Sequence, residues 1–527
     1  MSHHSDTHVL VVGAGPAGLA TALSAARHGA RVLVVERHRS TSIHPRASGL
    51  STRTMEIFRT WGVADAVRAA GSVILARASA GATLADPDLA ESSIGYPLPR
   101  EALAVSPTFP ACCAQDLLEP ILLAAVRRAG VDVRFDTELT DLAVDDSGAW
   151  ARVHDRVTGA TTTVASRFVV GADGPRSRVR TALGIGTEHL GGIGRHIQLL
   201  FRADLSAVVG EWQHALYIVS HPEAAGLFIA FGGDRWGYAR PCPTDDDIPD
   251  DAQWLTLLRT ASGIADLAPE LLGTAVFDLE AELATTSRAG AAFLVGDAAH
   301  RMTPVGGVGL NTAVQDGHNL GWKLAWAAQG RAGEPLLASY APERTPIGER
   351  RARRSVRPGE PDPADGLLGD LGAGYTSPVL AGHAPALIDP DALAAESGER
   401  APHVWVHVHG RRCSTLDLWD GRLTLITADA SWRAAAEDLS LAAPDLASAR
   451  VTSAYRLGDG GAVLVRPDGY VAWRADVPVA DPVGALADAV DLALGLAARG
   501  TNGDFVPREA ANPPFVPTAG EPQLTPR

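Results

Sequence analysis

The residues best suited to chemistry stand near the front of the chain. Gly13-Ala14-Gly15-Pro16-Ala17-Gly18 is a GxGxxG turn that follows an apolar run, His8–Val12, and opens a helical pattern, Pro16–His28. A second apolar run, Arg31–Glu36, ends in an acid 23 residues after Gly13. Gly13 permits the tight turn, Gly15 lets a pyrophosphate approach the backbone, and Gly18 lets helix pack on strand. Pro16 and Ala17 begin a helix whose N-terminus offers free N–H groups and a partial positive charge to phosphates. Glu36 can accept hydrogen bonds from an adenosine ribose, and its neighbour Arg37 is counted with it as cofactor-binding. This is a βαβ dinucleotide site, and on these residues alone the dinucleotide is FAD or NAD.

Two further motifs carry the decision. Phe293-Leu294-Val295-Gly296-Asp297-Ala298-Ala299-His300 reads as a buried strand ending in Gly-Asp, followed by Pro304, Gly307, Gly309, Leu310 and Asn311 at a new helix start. Gly171-Ala172-Asp173-Gly174-Pro175-Arg176 follows another apolar run. With the first motif, these resemble the three fingerprints of class A FAD-dependent aromatic hydroxylases, the para-hydroxybenzoate hydroxylase fold, and the resemblance covers nearly the whole chain. Ala401-Pro402-His403-Val404-Trp405, Ser414-Thr415-Leu416-Asp417 and Arg466-Pro467-Asp468-Gly469-Tyr470 resemble the C-terminal thioredoxin-like domain of phenol hydroxylase relatives and aromatic polyketide hydroxylases. That domain lacks CxxC, which excludes dithiol chemistry there.

The resemblance implies FAD as cofactor, with NADPH or NADH as a transient co-substrate. It places Asp297 on the ribityl chain and Asp173 in the motif shared by FAD and NAD(P)H. The backbone around Gly309, Leu310 and Asn311 goes to the flavin N1/O2 edge, Gly307 is counted with it as cofactor-binding, and Pro304 lies over the flavin near the reacting carbon. It also places Arg46 near the FAD phosphates, with a response to flavin movement, and Gln115 against the flavin side chain. Arg46 and Pro304 are thus the candidate catalytic residues. The implied reaction inserts one oxygen atom of O2, through a flavin C4a-hydroperoxide, into a polycyclic aromatic, polyketide-type substrate. Hydroxylation of a phenol or quinone is expected; Baeyer–Villiger oxygenation is the alternative, and an oxygen-independent flavin dehydrogenase or an accessory flavoprotein are the others. No residue announces itself as a catalytic base.

The elements that must position these residues follow from periodicity. After a helix over Asp116–Ala129, with Asp116 and Glu119 at capping-box spacing, short strands run to Val170. Alternating segments at His196–Arg202, Ala215–Val219 and Leu227–Phe231 read as a half-exposed sheet, the floor of a substrate chamber. His196, His214, Tyr217, Trp236 and Tyr238 lie on it as candidate pocket residues. The fold class expected is α/β: a Rossmann-type FAD-binding domain (1–180 and 285–357), an inserted mixed-sheet substrate domain (181–284 with part of 72–108), a linker (358–400), a thioredoxin-like domain (401–499) and a proline-rich tail (500–527).

Composition bounds the rest. At 527 residues the chain is too long for one core, and 46% apolar against 20% charged residues is ordinary for a globular protein. A net charge of -15 argues against nucleic acid. No apolar run approaches a membrane span and the first residues do not form a signal peptide, so a cytoplasmic protein is expected. The four cysteines show no metal-ligand spacing, and the histidines at 403, 407 and 409 lack an adjacent acid, so no metal is expected. A homodimer is allowed but not indicated.

Overall fold

The computed structural model describes residues 7–497 apart from 146, 211–212, 361, 363, 409, 420 and 447. The tail and His409 lie outside the described residues. The N-terminal domain runs through β1 (Thr7–Val12), α1 (Pro16–Arg27), β2 (Val32–Val35), α2 (Thr52–Thr60), β3 (Ile74–Gly81), α3 (Gln115–Arg128), β4 (Asp132–Arg134) and β5 (Thr161–Gly171). The inserted sheet follows with β6 (Thr187–Arg202), β7 (Gln213–Val219), β8 (Gly226–Gly232), β9 (Arg235–Pro241), α4 (Asp251–Ser262) and β10 (Glu270–Ala284). The chain then returns through β11 (Ala292–Leu294), α5 (Gly309–Ala328) and α6 (Tyr340–Ser355). The C-terminal domain holds β12 (Thr424–Thr427), α7 (Ala430–Asp438), β13 (Ala462–Val465), β14 (Val471–Ala475) and α8 (Pro482–Leu494).

The core of the first domain is a parallel sheet in the order β11–β5–β1–β2–β4. Its strands read THVLVV and VLVV, apolar on both faces because α1, α3 and α5 cover one side and the antiparallel strands Thr137–Asp145 and Gly148–Asp155 cover the other. The second sheet has eight strands, with β10–β6–β9–β8–β7–β3 at its centre. β3 comes from the first domain and pairs parallel with β7, so part of 72–108 joins the inserted sheet.

The C-terminal domain is built on the antiparallel β12–β13–β14 sheet with α7 and α8 beside it. Its last helix stops at Leu494, where Gly495 takes a left-handed cap at φ 62°. Of residues 358–400, read as a linker from their proline, glycine and aspartate, the stretch 370–400 makes buried contacts with the body. Asp370 accepts the backbone N–H of Thr52 (2.7 Å) and Arg53 (3.1 Å) at the start of α2. Arg400 is buried against Glu56. Those partners are some 300 residues away, beyond the reach of any local reading.

A buried ion cluster fastens the C-terminal domain to the first. Arg466, in the turn before β14, grips Glu343 of α6 with both terminal nitrogens at 2.7 and 2.8 Å, and Lys323 of α5 meets the same carboxylate at 2.7 Å. Tyr375 and Tyr470 stack beside it with ring centres 3.7 Å apart. Among the described residues no helix is long and apolar enough to cross a membrane.

Candidate active site

The three glycine-bearing turns meet at the carboxyl ends of the parallel strands, where open α/β sheets bind ligands. Gly13 leaves β1 with its N–H on Val35 O (2.8 Å), Ala172 leaves β5 with its N–H on Val12 O (2.8 Å), and Val295 leaves β11 with its N–H on Gly171 O (3.0 Å). The approach is close. A Cβ on Gly13, whose φ is 107°, would lie 2.3 Å from Ala172 O, and one on Gly18 would lie 1.9 Å from Gly13 O. Beside Gly15, by contrast, a Cβ would meet nothing within 4 Å. Gly15 is the N-cap of α1, and Pro16, Ala17 and Gly18 form its first turn.

Glu36 is held by the turn it serves. One carboxylate oxygen accepts the Ala14 N–H at 2.8 Å and the other the His38 N–H at 2.9 Å. Arg37 is exposed, and its carbonyl accepts the Arg156 guanidinium (2.9 Å). Arg46 is also exposed, and its charge reaches both Glu119 and Asp297. Gln115 donates to Glu119 (2.7 Å), whose second oxygen takes the Ser42 N–H (2.6 Å). The expected capping box at Asp116 and Glu119 is therefore absent. The helix starts one residue earlier, Glu119 ties down the loop at 42, and Asp116 pairs with Arg235 (2.5 Å).

Asp297 is open to solvent on one side while protein surrounds the rest of its carboxyl. Burial raises that carboxyl above the usual range, and His300, Arg301 and Arg46 pull the other way. Beneath it lies a carboxylate with no motif to announce it. Asp316 of α5, fully buried, accepts from Gly296 N–H (3.2 Å), pairs with His300 Nε2 (2.6 Å) and accepts from Arg344 Nε (2.8 Å). Asp173 faces its own helix, taking Ser177 Oγ–H (2.5 Å) and the N–H groups of Arg178 (2.7 Å) and Val179 (3.2 Å). Arg180 donates to Ala298 O (3.0 Å), joining the second and third motifs.

Pro304 is exposed and caps a single turn, Val305–Gly307, that leads into α5. Gly309, Leu310 and Asn311 are the first residues of α5, where N–H groups lack intrahelical acceptors. The Asn311 side chain is turned inward. It donates to Gly49 O, Gly307 O and Tyr96 Oη, each at 3.0 Å, and accepts Ser51 N–H at 2.8 Å.

The inserted sheet corrects the expected pocket. Tyr217, Trp236 and Tyr238 share one face with Ile197, Leu199, Phe201 and Phe228, and α4 covers that face with Trp254 and Leu258. All three aromatics are at most 3% exposed. Trp236 and Tyr238 are two residues apart and must point the same way. His214 leans on this face too, stacked on Tyr217 and bonded to Ser79 Oγ (2.6 Å). Of the five candidates, His196 alone stands on the opposite face, with its Nδ1 near Gly194 O (3.1 Å). That opposite face carries Gln198, Leu200, Leu216, Ile229 and Gly237, and is turned to the first domain, where Arg235 meets Asp116. Alternation along each strand was the signal that would have found it.

The residues present fit FAD: an open flank at Gly15, a helix N-terminus, and an acid at each end of the groove, Glu36 and Asp297. The comparisons with known proteins agree. Residues 6–355 match the FAD binding domain family and residues 394–497 the aromatic-ring hydroxylase C-terminal family. The chain is 37% identical over 519 residues to tetracenomycin B2 monooxygenase-dioxygenase of Streptomyces olivaceus, covering 90% of this chain and 96% of the relative. It is 37% identical over 454 residues to an aklavinone 12-hydroxylase of Streptomyces peucetius, covering 80% and 91%. It superposes on the ternary complex of aklavinone-11 hydroxylase with FAD and aklavinone with a TM-score of 0.84 at 32% identity, covering 94% and 100%. The chain belongs to the FAD-dependent aromatic-ring hydroxylases, flavoprotein monooxygenases of the para-hydroxybenzoate hydroxylase fold, in the branch of the aromatic polyketide hydroxylases that carries a thioredoxin-like C-terminal domain.

Proposed function

We propose that this monooxygenase hydroxylates a polycyclic aromatic polyketide held between the inserted sheet and the FAD-binding domain, with O2 and NAD(P)H as co-substrates. The observation that carries the reading is the face of the sheet turned to the first domain. It is apolar and built low, with Ala78, Gly237 and Ala239 among Leu200, Leu216 and Ile229, and planar rings can lie flat on it. Gln198 and His196 add polar groups to that face, and Arg235, paired with Asp116, stands at its end. The names of the relatives, which refer to tetracenomycins and aklavinone, support the same substrate class.

In this reading the FAD supplies the hydride acceptor and the oxygen-activating ring when bound. The chain holds it. The first turn of α1 receives the pyrophosphate and Glu36 the adenosine ribose, with Arg37 at the adenosine end. Asp297 binds the ribityl chain, Gln115 and Arg46 flank it, and Asp173 shapes the turn beside it. With FAD bound, the N–H groups at Gly309, Leu310 and Asn311 would serve the pyrimidine edge of the flavin and favour negative charge there. Pro304 and Gly307 would border the ring, and the apolar sheet would exclude water from the reacting centre. A dependence on NAD(P)H suits a cytoplasmic enzyme.

The test is NADPH and NADH oxidation in air by the purified protein, with and without polycyclic phenols, with product masses recorded. Fast oxidation stimulated by a polycycle, with one oxygen atom added, is expected. Protein that binds no FAD, or a holoenzyme that oxidises polycycles without incorporating oxygen, would refute it.

A further inference from the structure

Tyr96 belongs to no recognised motif, and it sits in the short connection between the edge strand Ala90–Ser93 and the helix Pro99–Val105. Its ring is only 6% exposed. The hydroxyl donates to Gly307 O at 2.7 Å and accepts from Asn311 Nδ2 at 3.0 Å. The ring fills a notch that only glycines leave open: a Cβ on Gly49 would lie 2.8 Å from Tyr96 Oη, and one on Gly307 3.0 Å. One residue back, the Gly95 carbonyl accepts the Gly366 N–H at 3.0 Å, anchoring the connection from the other side.

We infer that Tyr96 is a positioning residue for the monooxygenase reaction, fixing the turn Pro304–Gly307 and the first residues of α5 through its hydroxyl. Three features support this. The turn is rich in glycine and has little side-chain packing of its own, so its conformation depends on bonds made by neighbours. Gly307 O and Asn311 bracket the helix start, and Tyr96 is the side chain that bonds both. Burial pushes the Tyr96 phenol well above its ordinary range, so the hydroxyl remains a donor throughout the working pH range. The inference rests on the proposed reading of the flavin edge, because it is there that the turn has a catalytic purpose. Displacing the turn would leave the cofactor bound but badly placed, and reducing equivalents would leak to hydrogen peroxide.

The test compares Tyr96→Phe with Tyr455→Phe by hydrogen–deuterium exchange, on protein without and with FAD. Tyr455 is another buried tyrosine, whose hydroxyl bonds Pro402 O at 2.9 Å in the C-terminal domain. Y96F removes the bond to Gly307 O outright, while Asn311 Nδ2 keeps Gly49 O and Gly307 O as acceptors, so exchange of peptides covering 303–312 should speed about fivefold, a change of about 1 kcal/mol. Y455F should leave those peptides unchanged, and peptides covering 9–27 should not respond to either change. In the holoenzyme, Y96F should keep its FAD affinity, shift the flavin absorption bands and release a larger share of electrons as peroxide. Unchanged exchange at 303–312 in Y96F, or equal acceleration across the whole chain, would overturn the inference. Exchange of the FAD-free protein does not depend on the reaction, so that result is separable from failure of the proposed function.

Discussion

Replacing Glu56 by Gln should weaken the joint between α2 and the C-terminal segment by about 3 kcal/mol at neutral pH. Glu56 is 2% exposed and takes four donors: Arg53 Nη1 at 2.9 Å, Arg400 Nη2 at 2.5 Å, Arg400 Nε at 3.1 Å and Ser106 Oγ at 2.7 Å. Two routes give the same magnitude. Desolvation alone would raise its pKa, but Arg400 and Arg53 outweigh it and bring it from 4.5 down to about 2. At about 1.4 kcal/mol per unit, that shift is worth about 3 kcal/mol. Removing one member of a buried ion pair strands its partners, at a typical cost of about 3–5 kcal/mol. The folded-state pKa is depressed, so the contribution is complete above 4.5 and fades as pH falls toward 2. Urea unfolding of wild type and E56Q, followed by tryptophan fluorescence at pH 7 and pH 3, should therefore show a gap that narrows by about 2 kcal/mol at the lower pH. A gap under about 1 kcal/mol at pH 7, or one that does not narrow, would refute the reasoning.

Gly18→Ala should yield folded protein with almost no FAD, read from the absorbance of the purified enzyme, because its Cβ would lie 1.9 Å from Gly13 O in a turn with no room to move. Glu36→Gln keeps only one of the two oxygens that hold the Ala14 and His38 N–H groups. Losing a charge-assisted bond should weaken FAD roughly 10- to 100-fold in a fluorescence titration. Ile229→Trp should abolish stimulation of NADPH oxidation by polycycles while leaving FAD bound, because Ile229 faces the first domain. Trp236→Phe, on the covered face, should instead lower the melting temperature with little change in KM; the reverse pattern would assign the chamber to the wrong face.

Much of the frame was legible in local sequence because local chemistry dictates it. Parallel strands buried on both faces read as continuous apolar runs, and the turns that follow them need glycine for close approach. The boundaries of α1 and the central strands differ from expectation by only a few residues, and α5 begins at Gly309, where a helix start is expected. What could not be read depends on partners far apart in the chain. Asp316 looks like any acid within a helix until His300 and Arg344 arrive beside it. Tyr96 has no motif, since its significance lies in meeting Gly307 more than two hundred residues later. The error over Tyr217, Trp236 and Tyr238 was of another kind. Aromatics on a predicted chamber sheet suggested a pocket, but their spacing places them on one face, and α4 supplies the apolar cover for it.

The Arg466–Glu343–Lys323 cluster has a bearing on how such enzymes can be recombined. A carboxylate sealed at zero exposure between two cations, one from each domain, acts like a lock divided between two doors. A chimera that takes its C-terminal domain from a relative without an arginine at the equivalent turn would leave Glu343 with Lys323 as its one cation, beside the neutral donors Asn319 and Ser377. One that replaces α6 instead would leave Arg466 facing only Asp468. Exchange therefore succeeds when the 466–468 turn travels together with the facing surfaces of α5 and α6, so that the natural crossover points lie in the substrate sheet rather than at the apparent domain border.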